Sequence, residues 1–340
     1  VRDDGGNDLE KAQTVTDKTA VFRNVYDADS ETVDVRASKV FTDYTGSRQL
    51  EDGEYTFKLT AKNGAPLPGG ATDYIKTTNT GIGVVFDSVT VTAEYAKGAT
   101  KDAPKRYEYT LEEVLPAGAT AENYYTVDGV TYDTTKYTVR FEVYIDTVDG
   151  KDTVIVDRTY LDDDGNKITT NVPIFHNSYR AKSVTLKGDT ALRGDKKLTG
   201  RDIQDGEKFD FTLTAGDDST AEAIEAGIIE IATGADSASV TGSIDEDTAA
   251  SFNFGDVTFT KEGTYTFDIK ETVPDPKAGG MTYDRHTAKV TVVVTDDGNG
   301  QLMAAVSYDN GTVDAATDKA VFKNSYEATH IYGGLDVEKV

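Results

Sequence analysis

Apolar and polar residues alternate over short segments along most of the chain. Clear examples are EYTFKLTA (54–61), YTVRFEVYI (137–145) and AKVTVVVTD (288–296). Because successive side chains of a β-strand point to opposite faces, this alternation predicts strands with one buried face. Polar turn sequences such as DDDGNK (162–167) separate the segments. The pattern predicts an all-β protein built of immunoglobulin-like β-sandwiches.

One segment fits a helix as well as a strand. TAEAIEAGIIEIA (220–232) has apolar residues at mixed spacings, which favours either a short helix or a strand inside an insertion. No apolar run approaches the roughly 20 residues of a membrane-spanning helix, so we expect no membrane span.

The chain contains an internal repeat with a period of about 150 residues. AVFRNVY (20–26), PIFHNSY (173–179) and AVFKNSY (320–326) align without gaps. A lysine segment follows each of them, as RASKVFT (36–42), RGDKKLT (193–199) and LDVEKV (335–340). YEYTLEEVLP (107–116) aligns with YTFDIKETVP (265–274). A period of this length indicates tandem whole domains, because solenoid repeats are much shorter.

The order of the repeated segments predicts the domain boundaries. Residues 30–181 and 182–328 form two complete β-sandwich domains. We expect residues 1–29 to supply the last strand of a preceding repeat and residues 329–340 the first strand of a following one. The chain is therefore expected to be part of a longer array.

Strand alternation places three polar residues of each repeat on an apolar face. An isolated buried polar residue is most simply a member of a buried salt bridge, but the same three residue types recur in the same order. The candidates are Lys39, Glu113 and Asn177 in the first repeat, Lys196, Glu271 and Asn324 in the second, and the half-sites Asn24 and Lys339 of neighbouring repeats. Lys197 remains an alternative to Lys196, and Glu112 an alternative to Glu113.

A buried lysine, glutamate and asparagine can form an amide between side chains. Burial disfavours charge, which lowers the pKa of the lysine and raises that of the glutamate. The neutral amine is a nucleophile, while the protonated glutamic acid can polarise the carboxamide and shuttle protons as ammonia leaves. The predicted product is a Lys–Asn isopeptide bond, formed once per domain without a cofactor or a separate enzyme.

Composition excludes several other functions. The net charge of −25 argues against nucleic-acid binding, and the absence of cysteine removes disulfides and thiolate chemistry. No histidine lies in a metal-ligand spacing, and His176 is predicted to face the surface, opposite to Asn177. Asp162, Asp164 and Asn166 resemble part of a calcium loop, but the distal glutamate is missing and a hairpin turn explains them better. We therefore expect neither a metal nor a cofactor.

The repeated Lys, Glu and Asn resemble the isopeptide-linked domains of Gram-positive pilins and fibrillar surface adhesins, which are related to the B-type repeats of collagen adhesins. GRDIQDGEKFDFTL (200–213) and FKNSY (322–326) carry the resemblance most clearly. It implies that a first-strand lysine bonds a last-strand asparagine with help from a glutamate on a central strand.

Two functions follow from this resemblance. The first is a structural stalk or shaft of a cell-wall-anchored extracellular adhesin or pilus, with no enzymatic turnover, whose partners are adjacent repeats of the same polypeptide. The alternative is a ligand-binding adhesin module that uses insertions such as residues 62–85 or 215–250 to bind a host protein or glycan. Tandem units that repeat the same motifs favour the stalk.

Overall fold

A computed structural model describes residues 28–311 and 318–328 of the chain, together with Gly333. The half-site candidates Asn24 and Lys339 lie outside the described residues, as does most of the predicted flanking segments 1–29 and 329–340.

The regular secondary structure of the first half of the described chain consists mainly of strands. Its helical parts are the single turn α1 (Ala93–Ala96) and two 3₁₀ turns, Pro68–Gly70 and Ala121–Asn123. The strands are β1 (Glu31–Val33), β2 (Arg36–Asp43), β3 (Thr56–Lys62), β4 (Tyr74–Thr80), β5 (Gly83–Val85), β6 (Val89–Val91), β7 (Lys105–Glu113), β8 (Thr126–Val127), β9 (Val130–Thr131), β10 (Lys136–Val148), β11 (Lys151–Leu161) and β12 (Ile174–Tyr179).

The second half is also strand-rich and contains one helix of two turns, α2 (Asp218–Glu225). The strands are β13 (Val184–Leu186), β14 (Arg193–Thr199), β15 (Lys208–Ala215), β16 (Ile229–Ile231), β17 (Ser237–Thr241), β18 (Ala250–Asn253), β19 (Val257–Phe259), β20 (Gly263–Glu271), β21 (Met281–Thr282), β22 (Ala288–Asp296), β23 (Leu302–Asp309) and β24 (Ala320–Tyr326). The predicted all-β fold is confirmed.

The described residues form two compact units. Unit 1 contains residues 28–40, Glu51–Val114 and Thr134–Phe175, and unit 2 contains Phe41–Leu50, Leu115–Asp133 and the described residues from His176 onward. The unit boundaries pass through β2 and β12. The domain boundaries expected from the repeat, at residues 30–181 and 182–328, stay a prediction.

Unit 1 contains an antiparallel sheet in the order β11–β10–β7–β3–β4. Strand β5 pairs with β4 and with β2, while β1 and β6 form a separate two-stranded ribbon. In β7 the buried positions are every second residue, ending at Glu113, which lies opposite Phe57 of β3. Alternation in the sequence therefore becomes an apolar face that carries one carboxylate at its end.

Unit 2 contains two larger sheets. One has the order β17–β15–β20–β22–β23 and is antiparallel throughout. The other has the order β18–β14–β24–β21, in which β14 and β24 run parallel. Because parallel neighbours need a long connection, this pairing joins strands that lie far apart in the chain. Strands β13, β19 and β16 form a smaller third sheet.

Phenylalanine rings join the two larger sheets of unit 2. Phe211 on β15 stacks on Phe252 of β18 with a centroid separation of 3.8 Å, and its ring lies 5.2 Å from that of Phe322 on β24. All three side chains are buried. Such ring pairs add to the free energy gained by removing apolar surface from water, so these contacts hold the faces of a sandwich together.

The ambiguous segment 220–232 contains both structures that its sequence allowed. Asp217 caps α2 by accepting a hydrogen bond from the backbone N–H of Thr220, and strand β16 follows the helix. Within the part of the chain that the structure describes, no helix is both long and apolar enough to cross a bilayer.

Replacing Phe211 by alanine tests the packing between the sheets. We expect Phe211→Ala to lower the free energy of unfolding by about 3–5 kcal/mol, because it leaves a cavity between Phe252 and Phe322. Val293→Ala on the exposed side of β22 is the control and should change it by less than about 0.5 kcal/mol. Denaturant unfolding followed by circular dichroism measures the unfolding free energy of both variants. Equal losses in the two would contradict the role of Phe211 in packing the sheets together.

Candidate cross-linking site

Lys196 lies in the interior of unit 2. Its neighbours on β14 alternate between the two faces of the sheet, and its side chain is fully buried. The ammonium nitrogen Nζ donates to Oε2 of Glu271 at 2.7 Å and lies 5.0 Å from the centroid of the Phe209 ring. A lysine in this position has lost its water and has one carboxylate as its anionic partner.

Glu271 is the last residue of β20 and comes from the sheet that faces β14. Tyr265, Phe267 and Ile269 precede it on the same buried face, as strand alternation predicts. Its second oxygen, Oε1, accepts a hydrogen bond from Nδ2 of Asn324 at 2.7 Å. A single carboxylate therefore holds the lysine amine on one oxygen and the asparagine amide nitrogen on the other.

Asn324 lies on β24, the parallel neighbour of β14, and is 1% exposed. Its backbone pairs with Leu198, two residues beyond Lys196. While Nδ2 donates to Glu271, the carbonyl oxygen Oδ1 accepts a hydrogen bond from the backbone N–H of Asp284 at 2.7 Å. Partners at both ends fix the orientation of the carboxamide.

Burial shifts both ionisable groups of this site away from charge. Removal from water lowers the pKa of Lys196, although the negative charge of Glu271 and the hydrogen bond to it oppose the shift. Removal from water likewise raises the pKa of Glu271, and the charge of Lys196 opposes this shift too. In both residues burial outweighs the attraction within the pair, so the neutral amine and the protonated acid are favoured relative to water.

Unit 1 contains the corresponding pair. Lys39 on β2 is fully buried, and its Nζ donates to Oε2 of Glu113 at 2.7 Å. The same Nζ lies 4.5 Å from the centroid of the Tyr55 ring. Lysine, carboxylate and aromatic ring thus recur in the arrangement found around Lys196, with the glutamate again at the end of its strand.

Asn177, the third candidate of the first repeat, lies on β12 within unit 2 and is 1% exposed. Its Oδ1 accepts a hydrogen bond from the backbone N–H of Asp133 at 2.8 Å. The bond between Asn177 and Lys39 stays a prediction.

The structure distinguishes the alternatives that the sequence left open. Lys197 is only half-buried, whereas Lys196 is fully buried. Glu112 points to the other face of β7 from Glu113 and pairs with Lys58 at 2.7 Å and with Lys136 at 3.0 Å. The buried members of both alternatives are therefore the residues that strand alternation favoured.

Asp133 and Asp284 were not among the candidates from the sequence, although each donates its backbone N–H to a candidate asparagine. A signal for them was present. The tripeptide Thr-Tyr-Asp occurs at 131–133 and at 282–284, at equivalent places in the two repeats. Their role depends on a backbone atom, and alternation of side chains along strands carries no information about it.

The other candidate features have structural partners of their own. Oδ1 of Asp162 accepts the backbone N–H of Asn166 at 2.8 Å, which closes the hairpin turn that the sequence favoured over a calcium loop. Among the described residues no group of three or more His, Asp or Glu side chains is placed to hold a metal ion. His176 is exposed, as predicted.

Two stretches of the chain match the same protein family. Residues 35–180 and 192–327 each match the FctA family, described as the Spy0128-like isopeptide containing domain. These stretches make up most of the sequence, and the chain therefore belongs to this family. No curated protein sequence matches the chain.

Solved structures similar to the chain include several pilins. The major pilin of Streptococcus pyogenes is 18% identical, with 86% of this chain and 98% of that one covered, at a TM-score of 0.33. The T-13 major pilin of S. pyogenes is 15% identical, with 88% and 97% covered, at 0.28. The shaft pilin SpaA of Lactobacillus rhamnosus GG, as a double mutant, is 11% identical, with 88% and 100% covered, at 0.18. Because these scores are low, family membership rests on the sequence match.

Removing the cation from the buried pair should destabilise the fold in a pH-dependent way. We compare the double variant Lys196→Met/Asn324→Ala with Asn324→Ala. Neither chain can form the predicted Lys196–Asn324 bond, so the comparison isolates the loss of the lysine. The unpaired Glu271 should cost about 3–5 kcal/mol of unfolding free energy near pH 8. Burial raises the folded-state pKa of Glu271 above its unfolded value, so stability is retained at low pH and lost as pH rises. We therefore expect a smaller cost near pH 5, measured by urea denaturation.

Lys208→Met in the Asn324→Ala background is the matched control. Lys208 forms an exposed pair with Asp210 at 2.8 Å, so its loss should cost less than about 1 kcal/mol at either pH. A pH-independent cost of Lys196→Met would contradict the burial argument.

Proposed function

We propose that each repeat forms an intramolecular Lys–Asn isopeptide bond, between Lys196 and Asn324 and between Lys39 and Asn177. One observation carries the proposal. The buried carboxylate of Glu271 contacts both the attacking nitrogen, Nζ of Lys196, and the departing nitrogen, Nδ2 of Asn324, each at 2.7 Å. Because the fold already holds the two reacting groups together, the reaction avoids the entropy cost of a bimolecular encounter.

The reaction begins from neutral Lys196 and protonated Glu271, the forms that burial favours. The lone pair of Nζ attacks Cγ of Asn324, a C–N bond forms, and the π electrons of the carbonyl move onto Oδ1. Glu271 gives its proton to Nδ2 through Oε1 and receives one from Nζ through Oε2. The electrons on Oδ1 then return, the bond from Cγ to Nδ2 breaks, and ammonia leaves.

This sequence of steps regenerates the protonated glutamic acid and consumes the lysine and the asparagine. Each domain therefore reacts once and turns over no substrate, so the chain is not an enzyme in the ordinary sense. Glu271 and Glu113 are the catalytic residues of this single event. No cofactor is needed, because desolvation supplies the neutral amine and the glutamic acid transfers the protons.

The proposed bond stabilises the domain against unfolding and against force. By the chain-entropy argument developed for disulfides, which is model-dependent, closing a loop of about 100 residues contributes roughly 4.7 kcal/mol. In unit 2 the bond would join β14 to β24, two adjacent strands of one sheet. Tension applied through these strands would pass through the amide, and the residues between them would bear little of it.

We propose that the chain serves as the shaft of an extracellular pilus or fibrillar adhesin on a Gram-positive cell wall. Support comes from membership of an isopeptide-domain family and from the occurrence of two matches in tandem. The similar structures are named as a major pilin of Streptococcus pyogenes and a shaft pilin of Lactobacillus rhamnosus GG. The partners in this proposal are adjacent repeats or further copies of the subunit, and a host protein or glycan would meet a tip region elsewhere.

The alternative of a ligand-binding module has less support. Residues 62–85 contribute β4 and β5, which pair with their neighbours in the sheet of unit 1. Residues 215–250 contribute α2, β16 and β17, and the two strands pair within the sheets of unit 2. Both insertions are therefore used in the fold.

Intact-mass measurement tests the bonds. The wild-type chain should be lighter than its sequence mass by two molecules of ammonia. Glu113→Ala and Glu271→Ala should each restore the mass of one, because the proton shuttle of one domain is lost. Glu112→Ala is the matched control and should retain both bonds, since Glu112 lies on the opposite face of β7. A wild-type mass equal to the sequence mass would refute the proposal.

Single-molecule pulling tests the mechanical role. With the chain stretched from its ends, the residues between Lys196 and Asn324 should contribute no extension in the wild type. In Glu271→Ala they should lengthen the chain by about 3.3–3.6 Å each, because the loop is no longer closed. Equal lengthening of the two chains would contradict a role in bearing force, and Glu112→Ala again provides the control.

A further inference from the structure

The loop between β21 and β22 places a hydrogen-bond donor on the reacting carboxamide. The backbone N–H of Asp284 donates to Oδ1 of Asn324 at 2.7 Å. Both oxygens of Glu271 are already engaged by the nitrogens of Lys196 and Asn324. The hydrogen bond on the carbonyl oxygen therefore comes from the loop.

The side chain of Asp284 holds this N–H in place. Its Oδ2 accepts the backbone N–H of Lys323 at 2.8 Å, and Lys323 directly precedes Asn324 on β24. Its Oδ1 accepts the backbone N–H of His286 at 3.1 Å and lies 2.7 Å from Nδ1 of the same residue. The carboxylate thus ties the loop both to itself and to the strand that carries the reacting asparagine.

The environment keeps this carboxylate charged. Burial alone would raise the pKa of Asp284, but the hydrogen bonds from Lys323 and His286 together lower it below its usual value. An ionised carboxylate is the stronger acceptor for N–H donors. The tie between the loop and β24 is therefore a charge-assisted one.

The same device occurs beside Asn177. The backbone N–H of Asp133 donates to Oδ1 of Asn177 at 2.8 Å, and Oδ2 of Asp133 accepts the backbone N–H of His176 at 2.7 Å. His176 precedes its asparagine in the chain, as Lys323 precedes Asn324. The residue before the asparagine differs between the two strands, and in both it is the backbone N–H of that residue that the aspartate accepts.

We propose that the backbone N–H of Asp284 stabilises the oxyanion that develops on Oδ1 of Asn324, and that the Asp284 carboxylate is a positioning group for it. Asp133 has the same two roles toward Asn177. This inference rests on the proposed cross-linking reaction and adds the group that stabilises the negative charge on Oδ1.

The reaction places a transient negative charge on Oδ1 of Asn324, which a hydrogen-bond donor would stabilise. When Nζ forms its bond to Cγ, one electron pair of the carbonyl moves onto Oδ1, and it returns when Nδ2 departs as ammonia. A donor fixed beforehand and shielded from water stabilises that transient charge more than bulk solvent does. Loss of one such donor lowers rates by about 10²–10³-fold in acyl-transfer enzymes.

The decisive experiment removes the donor and leaves the side chain. The full chain is synthesised in a brief cell-free pulse, and the peptide N–H of Asp284 is replaced by an ester oxygen through nonsense suppression. Aliquots are quenched over time, digested and analysed for the peptide that joins Lys196 to Asn324. Protease resistance of the same aliquots reports folding.

We expect the ester chain to form the Lys196–Asn324 peptide about 10²-fold more slowly than wild type after folding is complete. Asp284→Ala should be slowed by a similar factor, because misplacing a reacting group by about 1 Å can cost 10²-fold. Asp284→Asn, which keeps one carbonyl oxygen as an acceptor, should react at an intermediate rate. In all three chains the Lys39–Asn177 peptide should form at the wild-type rate.

Asp217→Ala is the matched control. Asp217 is also a loop carboxylate that accepts a backbone N–H, here at the start of α2, and it does not contact the site. Its loss should leave both bond-forming rates unchanged. If Asp284→Ala fails to fold, the ester chain decides the matter, since it retains the carboxylate.

The outcomes separate this inference from the cross-linking proposal. A wild-type chain that never forms either cross-linked peptide refutes the reaction itself. A wild-type chain that reacts, beside a folded ester chain that reacts equally fast, refutes only the role of the Asp284 N–H. Slowed reaction of the ester chain with normal folding supports it, because a structural role alone would not change the chemical rate.

Discussion

The buried pair of Lys196 and Glu271 is the interaction on which the rest of unit 2 depends. Two charges removed from water cost more than their attraction returns unless further hydrogen bonds satisfy them. Here Asn324 occupies the second carboxylate oxygen, so each oxygen of Glu271 has one donor. Lys196 and Asn324 come from one sheet and Glu271 from the other, so their hydrogen bonds require the two sheets to keep one relative position. The packed phenylalanine rings beside these residues hold the sheets in that position.

The same burial that makes the pair costly is what would activate it in the proposed reaction. Desolvation moves the lysine toward a free amine and the glutamate toward a neutral acid. A covalent amide between Lys196 and Asn324 would relieve the cost, because an amide nitrogen, unlike the lysine amine, carries no charge. In the proposed reaction Lys196 and Asn324 are the reactants, and the fold holds them beside Glu271. Such a bond does not depend on redox conditions, which is consistent with a chain that has no cysteine.

The repeat adds independent weight to this interpretation. Lys39 and Glu113 reproduce the distance and the adjacent aromatic ring of Lys196 and Glu271, and Asn177 has the same backbone donor on its carbonyl oxygen as Asn324. The two repeats differ widely elsewhere in sequence. Chemistry that recurs while its surroundings change is expected of a family defined by its isopeptide domains, to which the chain belongs.

By itself the sequence determined the strands, the repeat and the buried face of each candidate on the described strands. Alternation with a period of two depends only on neighbouring residues of one strand. Alternation favoured Lys196 over Lys197 and Glu113 over Glu112, and the structure showed that the favoured residue of each pair is the buried one. Only the tertiary structure decided which strands became neighbours. The parallel pairing of β14 with β24 joins residues far apart in the chain, and the backbone N–H of Asp284 reaches Asn324 through a loop. Both depend on how distant segments pack, and a local pattern does not encode that.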